Sequence, residues 1–323
     1  MTSVEKEIED QRTELKIVFD FMRSRRWDLN TLKNTDLVYF VGCGSSYYIA
    51  LSASRYFTLK TGIETKALPG GEVVFGTESN VGKRLKKSAV LISRSGESTE
   101  VVLAGEIFKK LGIPTLVVSL TQDSSLVKLV DESIILPLEE KSIVMTKSFT
   151  SMLLSLQIVS DILSGSENEK IYQDLLQMVG SVIDTSRKLI ESEKLHEKAH
   201  YVFLGVRTYE GVARESALKL EEMSLTKTEA YSTFEYRHGP KSLVENGVVI
   251  VLFGNGDPEE EKLKEELEGY GGKVVMRRIL KKPEDTFLQV IFSQILALKV
   301  AEKKGINPEK PRNLTKVVKL GEK

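Results

Sequence analysis

The chain of 323 residues has a single cysteine, Cys43, which excludes an intramolecular disulfide framework and any cysteine-cluster zinc site. Histidine is nearly as scarce. His196, His200 and His238 are the full set, and so few argue against a histidine-built metal centre. Excess charge is missing as well: Lys+Arg 46 balance Asp+Glu 46. A general nucleic-acid binder carries a basic excess, so the expected partner is a small molecule and not nucleic acid. Long apolar runs are absent too. Stretches such as Val248 to Phe253 are strand-sized and far below the ~20 residues of a membrane helix. Met1 to Lys16 is studded with charge and holds no apolar run of signal-peptide length. The expectation is a cytoplasmic protein that does not engage a membrane.

What is present reads as two copies of one plan. Hydrophobic content of 41% with 28% charged residues describes a globular chain, and the length suggests two domains. Residues 4–26 have helical periodicity. Leu37 to Gly42 is a short apolar run ending in a Gly/Ser turn, followed by an apolar-periodic helix from Tyr47 to Phe57. Ser88 to Ser93 is a second strand, ended by Ser93-Arg-Ser-Gly-Glu-Ser98 and a helix over Glu100 to Leu111. Pro114 to Ser119 and Ser133 to Leu138 are a third and a fourth strand. This alternation predicts parallel βαβ units. The second half repeats it. Ala199 to Gly205 echoes the first strand, with Gly205 standing 163 residues after Gly42. A helix follows from about Glu210 to Met223, Val248 to Phe253 echoes the second strand, and Lys273 to Met276 the third. A helix over about 285–304 completes the unit, and Ser164 to Lys170 is a bend within helical sequence. An internal repeat on this scale predicts a duplicated pair of α/β domains. The expected division is an N-terminal helix over 1–30, a first domain over 31–165, and a linker helix with the second domain over 166–323.

Ligands of open parallel sheets bind at the carboxyl ends of strands. The first domain places Gly42-Cys-Gly-Ser-Ser46 and Ser93 to Ser98 at two such ends. Small residues let backbone N–H groups approach an anion, hydroxyls add donors, and the following helix N-terminus adds a favourable dipole. That suits a phosphate held without metal. Both loops lack the Lys-Ser/Thr ending of a nucleotide P-loop and the spaced glycines of a dinucleotide fingerprint, so neither cofactor nor metal is expected. The competing reading is ordinary helix capping by Ser46 and Ser98. The corresponding loops of the second half, Val206-Arg-Thr-Tyr and Gly254-Asn-Gly-Asp-Pro-Glu, are not serine-rich, and the latter runs into Glu259 to Glu261. One phosphate site per chain is therefore expected, in the first domain.

The second domain offers Arg214-Glu-Ser-Ala-Leu-Lys219-Leu-Glu-Glu222. On a helix Glu215, Lys219 and Glu222 share one face. A solvated salt bridge is the commoner outcome, but Ala213, Ala217, Leu218 and Leu220 make the helix apolar enough to bury part of the stripe. A carboxylate beside an ammonium in a partly dry site can shuttle protons. His238 lies in a loop that ends Gly-Pro, next to Arg237.

Taken together, these loops, Met145-Thr-Lys-Ser-Phe-Thr150, Glu215 to Glu222, Arg237-His-Gly-Pro240 and Pro311 to Lys316 resemble the tandem sugar-isomerase (SIS) family. Members include the isomerase half of glucosamine-6-phosphate synthase and free-standing glucosamine-6-phosphate deaminases. The resemblance covers nearly the whole chain in the right order. It implies two duplicated SIS domains, each a mostly parallel sheet flanked by helices in three α/β/α layers. It also implies a phosphate cradle of Ser46, Ser93, Ser95 and Ser98 with backbone help from Arg94. Glu222 would move a proton between sugar C1 and C2, and Lys219 would steady Glu222 and the enediol-type intermediate. His238 would assist ring opening in the neighbouring subunit, which implies a homodimer. Lys316 would meet the open-chain carbonyl and could form a Schiff base with a ketose. The synthase pattern has Gln at position 94, Thr at 98 and Ser at 145, and Phe234 here replaces a glycine. Tyr236 to Val244 looks more like the catabolic branch. Because Met1-Thr2-Ser3 leads directly into the SIS region with no glutaminase ahead of it, the expected reaction is deamination of glucosamine 6-phosphate to fructose 6-phosphate and ammonia. The alternatives are another ketose–aldose isomerase or deglycase of sugar phosphates, and a non-catalytic sugar-phosphate sensor.

Overall fold

The computed structural model describes residues 1–166 and 168–320. They divide into two compact units, each built around its own sheet. One comprises Thr13–Glu140, Lys147–Glu169 and the tail from Thr315, and is called here the first-sheet unit. The second-sheet unit comprises Met1–Arg12, Lys141–Thr146 and Lys170–Leu314.

The first sheet has strands β1 (Leu37–Gly42), β2 (Glu64–Pro69), β3 (Lys87–Ile92), β4 (Thr115–Ser119) and β5 (Glu132–Ile135), all parallel, in the order β2-β1-β3-β4-β5. Successive side chains point to opposite faces. Tyr39, Val41, Ala89, Leu91 and Val117 accordingly pack with Val101, Ala104 and Phe108 of the Thr99–Lys110 helix on one side. On the other side Phe40 meets Phe57 of the Ser45–Thr61 helix edge-on, with ring centroids 5.5 Å apart. That helix packs in turn on Lys147–Ser164. A sheet covered on both faces needs apolar residues at nearly every strand position, and β3 and β4 read that way.

The second sheet repeats the plan with β6 (His200–Gly205), β7 (Thr228–Tyr231), β8 (Val248–Phe253) and β9 (Lys273–Arg277), again parallel, in the order β7-β6-β8-β9. Val202, Leu204, Ile250 and Leu252 face Leu263 and Leu267 of the Pro258–Gly269 helix. The Tyr209–Ser224 helix packs on β6 and on the helix Ile291–Lys304. Gly42 and Gly205 close equivalent strands for one reason. A Cβ at either would run into the backbone of the helix that follows, at Ser46 and at Tyr209.

The duplicated three-layer architecture matches the sequence reading. Two edge strands, β2 and β7, were not foreseen. Glu64-Thr-Lys-Ala-Leu-Pro69 is half exposed, charged and ends in proline, as an edge strand tolerates, so it carries no apolar run to read. The single helix expected over 285–304 is two, Thr286–Gln289 and Ile291–Lys304, joined at Val290.

Candidate active site

In the first-sheet unit β1 and β3 are neighbours, so the loops leaving their carboxyl ends lie side by side. Gly44, at φ 53°, is the N-cap of the Ser45–Thr61 helix, and Ser46 is a buried first-turn residue. Ser98 is the N-cap of Thr99–Lys110, but its hydroxyl accepts no capping bond. Ordinary side-chain capping therefore does not account for either serine. Within the second loop Ser93 Oγ accepts the Gly96 N–H at 3.0 Å and Ser95 Oγ accepts the Glu97 N–H at 3.2 Å. These bonds fold the backbone into a tight nest of small residues around the start of a helix.

Arg94 is buried. Its Nη1 stands 2.7 Å from Oε2 of Glu140, which is itself only 3% exposed. Glu140 gathers further donors: its Oε1 accepts the Ser148 N–H at 3.1 Å, and the Ser148 hydroxyl bonds Oε2. Its main-chain oxygen accepts Lys316 Nζ at 2.6 Å. The tail that carries Lys316 is also tied to the second serine loop. The Thr99 N–H donates to the Val318 carbonyl at 3.2 Å, and the Leu320 N–H donates to Thr99 Oγ1 at 3.1 Å. The serine loops, Arg94 and Lys316 thus share one neighbourhood of this unit, organised on Glu140. Sequence reasoning missed Glu140 because Glu139-Glu140 reads as an ordinary acidic pair. Its one signal was its place shortly before the Met145-Thr-Lys-Ser148 segment.

In the second-sheet unit the helix Tyr209–Ser224 carries the charged stripe. Lys219 and Glu215 are completely buried, 3.3 Å apart, and Lys219 Nζ donates to Glu222 Oε2 at 2.5 Å. Glu222 keeps 16% of its side chain exposed, so one end of the chain of charges is open. Burial pushes the Lys219 ammonium down, but the charges of Glu215 and Glu222 and its hydrogen bonds to them outweigh that, and its pKa lies above the ordinary lysine value. Lys219 is therefore a fixed positive charge at neutral pH, held directly against Glu222. The helix ends at Leu225 in the left-handed conformation, where Lys304 Nζ donates to the Ser224 carbonyl at 3.2 Å and bonds Thr226 Oγ1 at 2.5 Å.

His238 is exposed, directly after the short helical turn Glu235–Arg237. Arg237 points away into an ion-pair cluster with Glu259 and Glu266 at 3.1 and 3.2 Å. Met145 is buried in the segment Lys141–Thr146. Glu7 fixes that segment by accepting the Lys141 and Ser142 N–H groups at 2.6 and 3.1 Å. Gln294, held by Gln11 at 2.9 Å, donates to the Thr146 carbonyl at 3.0 Å.

The loop after β8 is the topological counterpart of the second serine loop, and it is occupied by the protein itself. Glu260, fully buried, accepts the Gly256 N–H at 3.0 Å and pairs with Arg278 at 3.0 Å. Its carboxylate fills the space a Cβ on Gly254 would need. A carboxylate lies here where the other unit presents hydroxyls. Among the described residues no group of three or more His, Cys, Asp or Glu side chains could hold a metal ion. Among them, too, no helix is long and apolar enough to cross a membrane.

Comparison with known proteins agrees with this geometry. The SIS domain family profile matches residues 31–160 and 194–271, more than half of the chain. The structure of a glucosamine-6-phosphate deaminase from Thermotoga maritima is 40% identical, covers 98% of this chain and 99% of its own, and superposes with a TM-score of 0.89. A glutamine–fructose-6-phosphate aminotransferase (isomerizing) from Acinetobacter baylyi is 28% identical over 93% of this chain and 54% of its own length. The chain thus spans about half the length of the curated relatives it matches. A tagatose-6-phosphate ketose/aldose isomerase from Escherichia coli, 21% identical with a TM-score of 0.77 and covering 99% of this chain and 97% of its own, shares the fold. With the duplicated α/β/α fold in place and the family profile matching more than half of its residues, the chain belongs to the SIS domain family.

Proposed function

We propose that this protein is an aminosugar-phosphate deaminase/isomerase that converts glucosamine 6-phosphate and water to fructose 6-phosphate and ammonia. The observation that carries the reading is the buried Lys219 held against Glu222, whose outer end remains open. The likeness to the Thermotoga maritima deaminase along essentially the whole of both chains supports the choice of substrate.

In this reading Ser46, Ser93, Ser95 and Ser98 hold the phosphate by hydroxyl and backbone donors at the start of a helix. Arg94 contributes through its backbone, since its guanidinium is engaged with Glu140. Ring opening, assisted by His238, exposes the C1 aldehyde. Glu222 then takes the C2 proton, and the electron pair left behind forms the C1–C2 enol. Lys219, permanently charged, stabilises the developing negative charge. Returning the proton to C1 leaves a ketimine at C2; water adds there and ammonia departs. Lys316, held by the Glu140 carbonyl at 2.6 Å, is the amine that meets the open-chain carbonyl. The exposure of His238 supports its service to a neighbouring copy, and hence a homodimer.

The test is ammonia release from glucosamine 6-phosphate by the purified protein, beside a panel of sugar phosphates that carry no amine. Turnover with ammonia release is expected. Rapid turnover of an amine-free aldose or ketose phosphate, with none of glucosamine 6-phosphate, would overturn the reading in favour of a ketose–aldose isomerase.

A further inference from the structure

At the opposite end of the first sheet's strands from the serine loops lies a concentration of positive charge. The serine loops leave the carboxyl ends of β1 and β3. The short turn Asn30–Leu32 instead lies against the amino ends of the strands: Ser88, near the start of β3, donates to the Thr31 carbonyl at 2.5 Å, and Glu132, the first residue of β5, accepts the Thr31 N–H at 3.0 Å. Just ahead of that turn, at the end of the Ser3–Arg23 helix, is a concave depression of about 420 Å³. That is within the ordinary size range of a small-molecule pocket.

Arg23, Arg25, Arg26 and Lys33 supply four cations to its wall, against one carboxylate, Asp28, in a chain whose net charge is zero. The cations are arranged differently. Arg23 is paired with Glu169 at 2.8 Å, and Lys33 donates to Asn30 Oδ1 at 3.2 Å. Arg25 lies over the rings of Phe21 and Trp27, 4.3 and 5.4 Å from their centroids. A guanidinium over two aromatic rings is attracted by their faces, and its N–H groups are of the kind that bind phosphate. Trp27 is itself held, its Nε1 donating to the Met22 carbonyl at 2.8 Å, and Leu29 and Ile162 add an apolar floor. A stacked arginine, an exposed arginine beside it, a pinned indole and an apolar floor match a compact anion with a carbon skeleton better than a bare ion or an extended polymer.

We propose that this depression is a second anion site, separate from the serine loops, that takes a small phosphorylated metabolite. Four cations lining one depression against a single carboxylate favour an anion there, and guanidinium groups such as those of Arg25 and Arg26 suit a phosphate. The proposal does not rest on the deaminase reading, because its readout is binding and not turnover.

Trp27 is the only tryptophan in the chain, so the site reports on itself. The test titrates the full chain with pyrophosphate and with glycerol 3-phosphate, reading Trp27 emission and, in parallel, calorimetric heat. Four proteins are compared: wild type, Arg26→Glu, Lys33→Ala, and the double variant Ser95→Ala/Ser98→Ala. The expected result is a saturable emission change that survives in the Ser95/Ser98 variant. Apparent affinity should fall at least tenfold in Arg26→Glu and more modestly in Lys33→Ala, and rising salt should weaken it in wild type. Absence of any saturable emission change in wild type overturns the proposal. So does binding that is lost in the Ser95/Ser98 variant, or binding that Arg26→Glu leaves unchanged. Calorimetry guards the Arg26→Glu result against a mere change in Trp27 environment, and circular dichroism confirms that the variant is folded.

Discussion

Lys219 is the residue whose removal tests the interior of the candidate site most sharply. It is fully buried, 3.3 Å from an equally buried Glu215 and 2.5 Å from Glu222. At an effective dielectric of about 20, a unit pair at that separation interacts by about 5 kcal/mol. Lys219→Met keeps most of the side-chain volume and deletes the charge, so Glu215 loses the ammonium that balances it. Breaking one partner of a buried pair costs about 3–5 kcal/mol after relaxation. Urea unfolding at pH 7 should show that loss. Glu215→Gln on the Lys219→Met background should return most of it, because the buried carboxylate goes with the lysine. The wild-type pair also has a signature in alkali. The folded pKa of Lys219 is raised, so its stabilisation is complete below the unfolded value of 10.5 and fades as pH rises through the folded value. In Lys219→Met that alkaline loss should be absent. A double variant as unstable as the sum of its singles, within about 0.5 kcal/mol, would refute the argument that charge balance and not packing holds this triad.

Other expectations follow from the same geometry. Ser95→Ala and Ser98→Ala should each raise KM for a phosphorylated substrate about tenfold while kcat stays close to wild type, because a hydrogen bond to a charged group contributes about 1.5–3 kcal/mol; steady-state kinetics checks this. Glu260→Ala should destabilise by about 3 kcal/mol by removing the acceptor of the Gly256 N–H and one of the two carboxylates that pair with Arg278, the other being Glu261, and added phosphate or sulfate should raise the melting temperature of the variant more than that of wild type. Glu97 is held below the usual carboxylate range by the backbone N–H and then the hydroxyl of Ser125, at 2.7 and 2.8 Å. Its stabilisation is therefore complete above about pH 4.5 and lost as pH falls through the lower folded value. Glu97 is largely solvent-screened, so the stability difference between wild type and Glu97→Gln should be under about 1 kcal/mol at pH 7 and should disappear as pH falls through the lowered folded value.

The duplicated fold was legible because it rests on patterns local in sequence. Gly42 and Gly205 end matching apolar runs, and each run is followed by a helix. The edge strands β2 and β7 were not legible, since half-exposed strands need no apolar alternation. In the candidate site the i, i+3 and i, i+4 spacing of Glu215, Lys219 and Glu222 put them on one helix face, and the apolar residues around them left open that part of the stripe is buried, against the commoner solvated salt bridge. Glu140 could not be foretold. It acts through Arg94, Ser148 and Lys316, which lie 46, 8 and 176 residues away, and such partnerships exist only once the chain has folded. The inward turn of Glu260 was half legible: the acidic run after β8 announced negative charge there, but not that one carboxylate would take the Gly256 N–H.

In the proposed reaction Glu222 moves a proton at C2 of an aminosugar phosphate whose phosphate group is held by the serine loops. The direct measurement is exchange of the C2 proton of glucosamine 6-phosphate with deuterated water, followed by NMR together with ammonia release, for wild type and Glu222→Gln. Wild type should exchange and release ammonia. Glu222→Gln should do neither, while still binding fructose 6-phosphate within a few-fold of the wild-type affinity. Exchange that persists in Glu222→Gln would place the base on another residue and contradict the account.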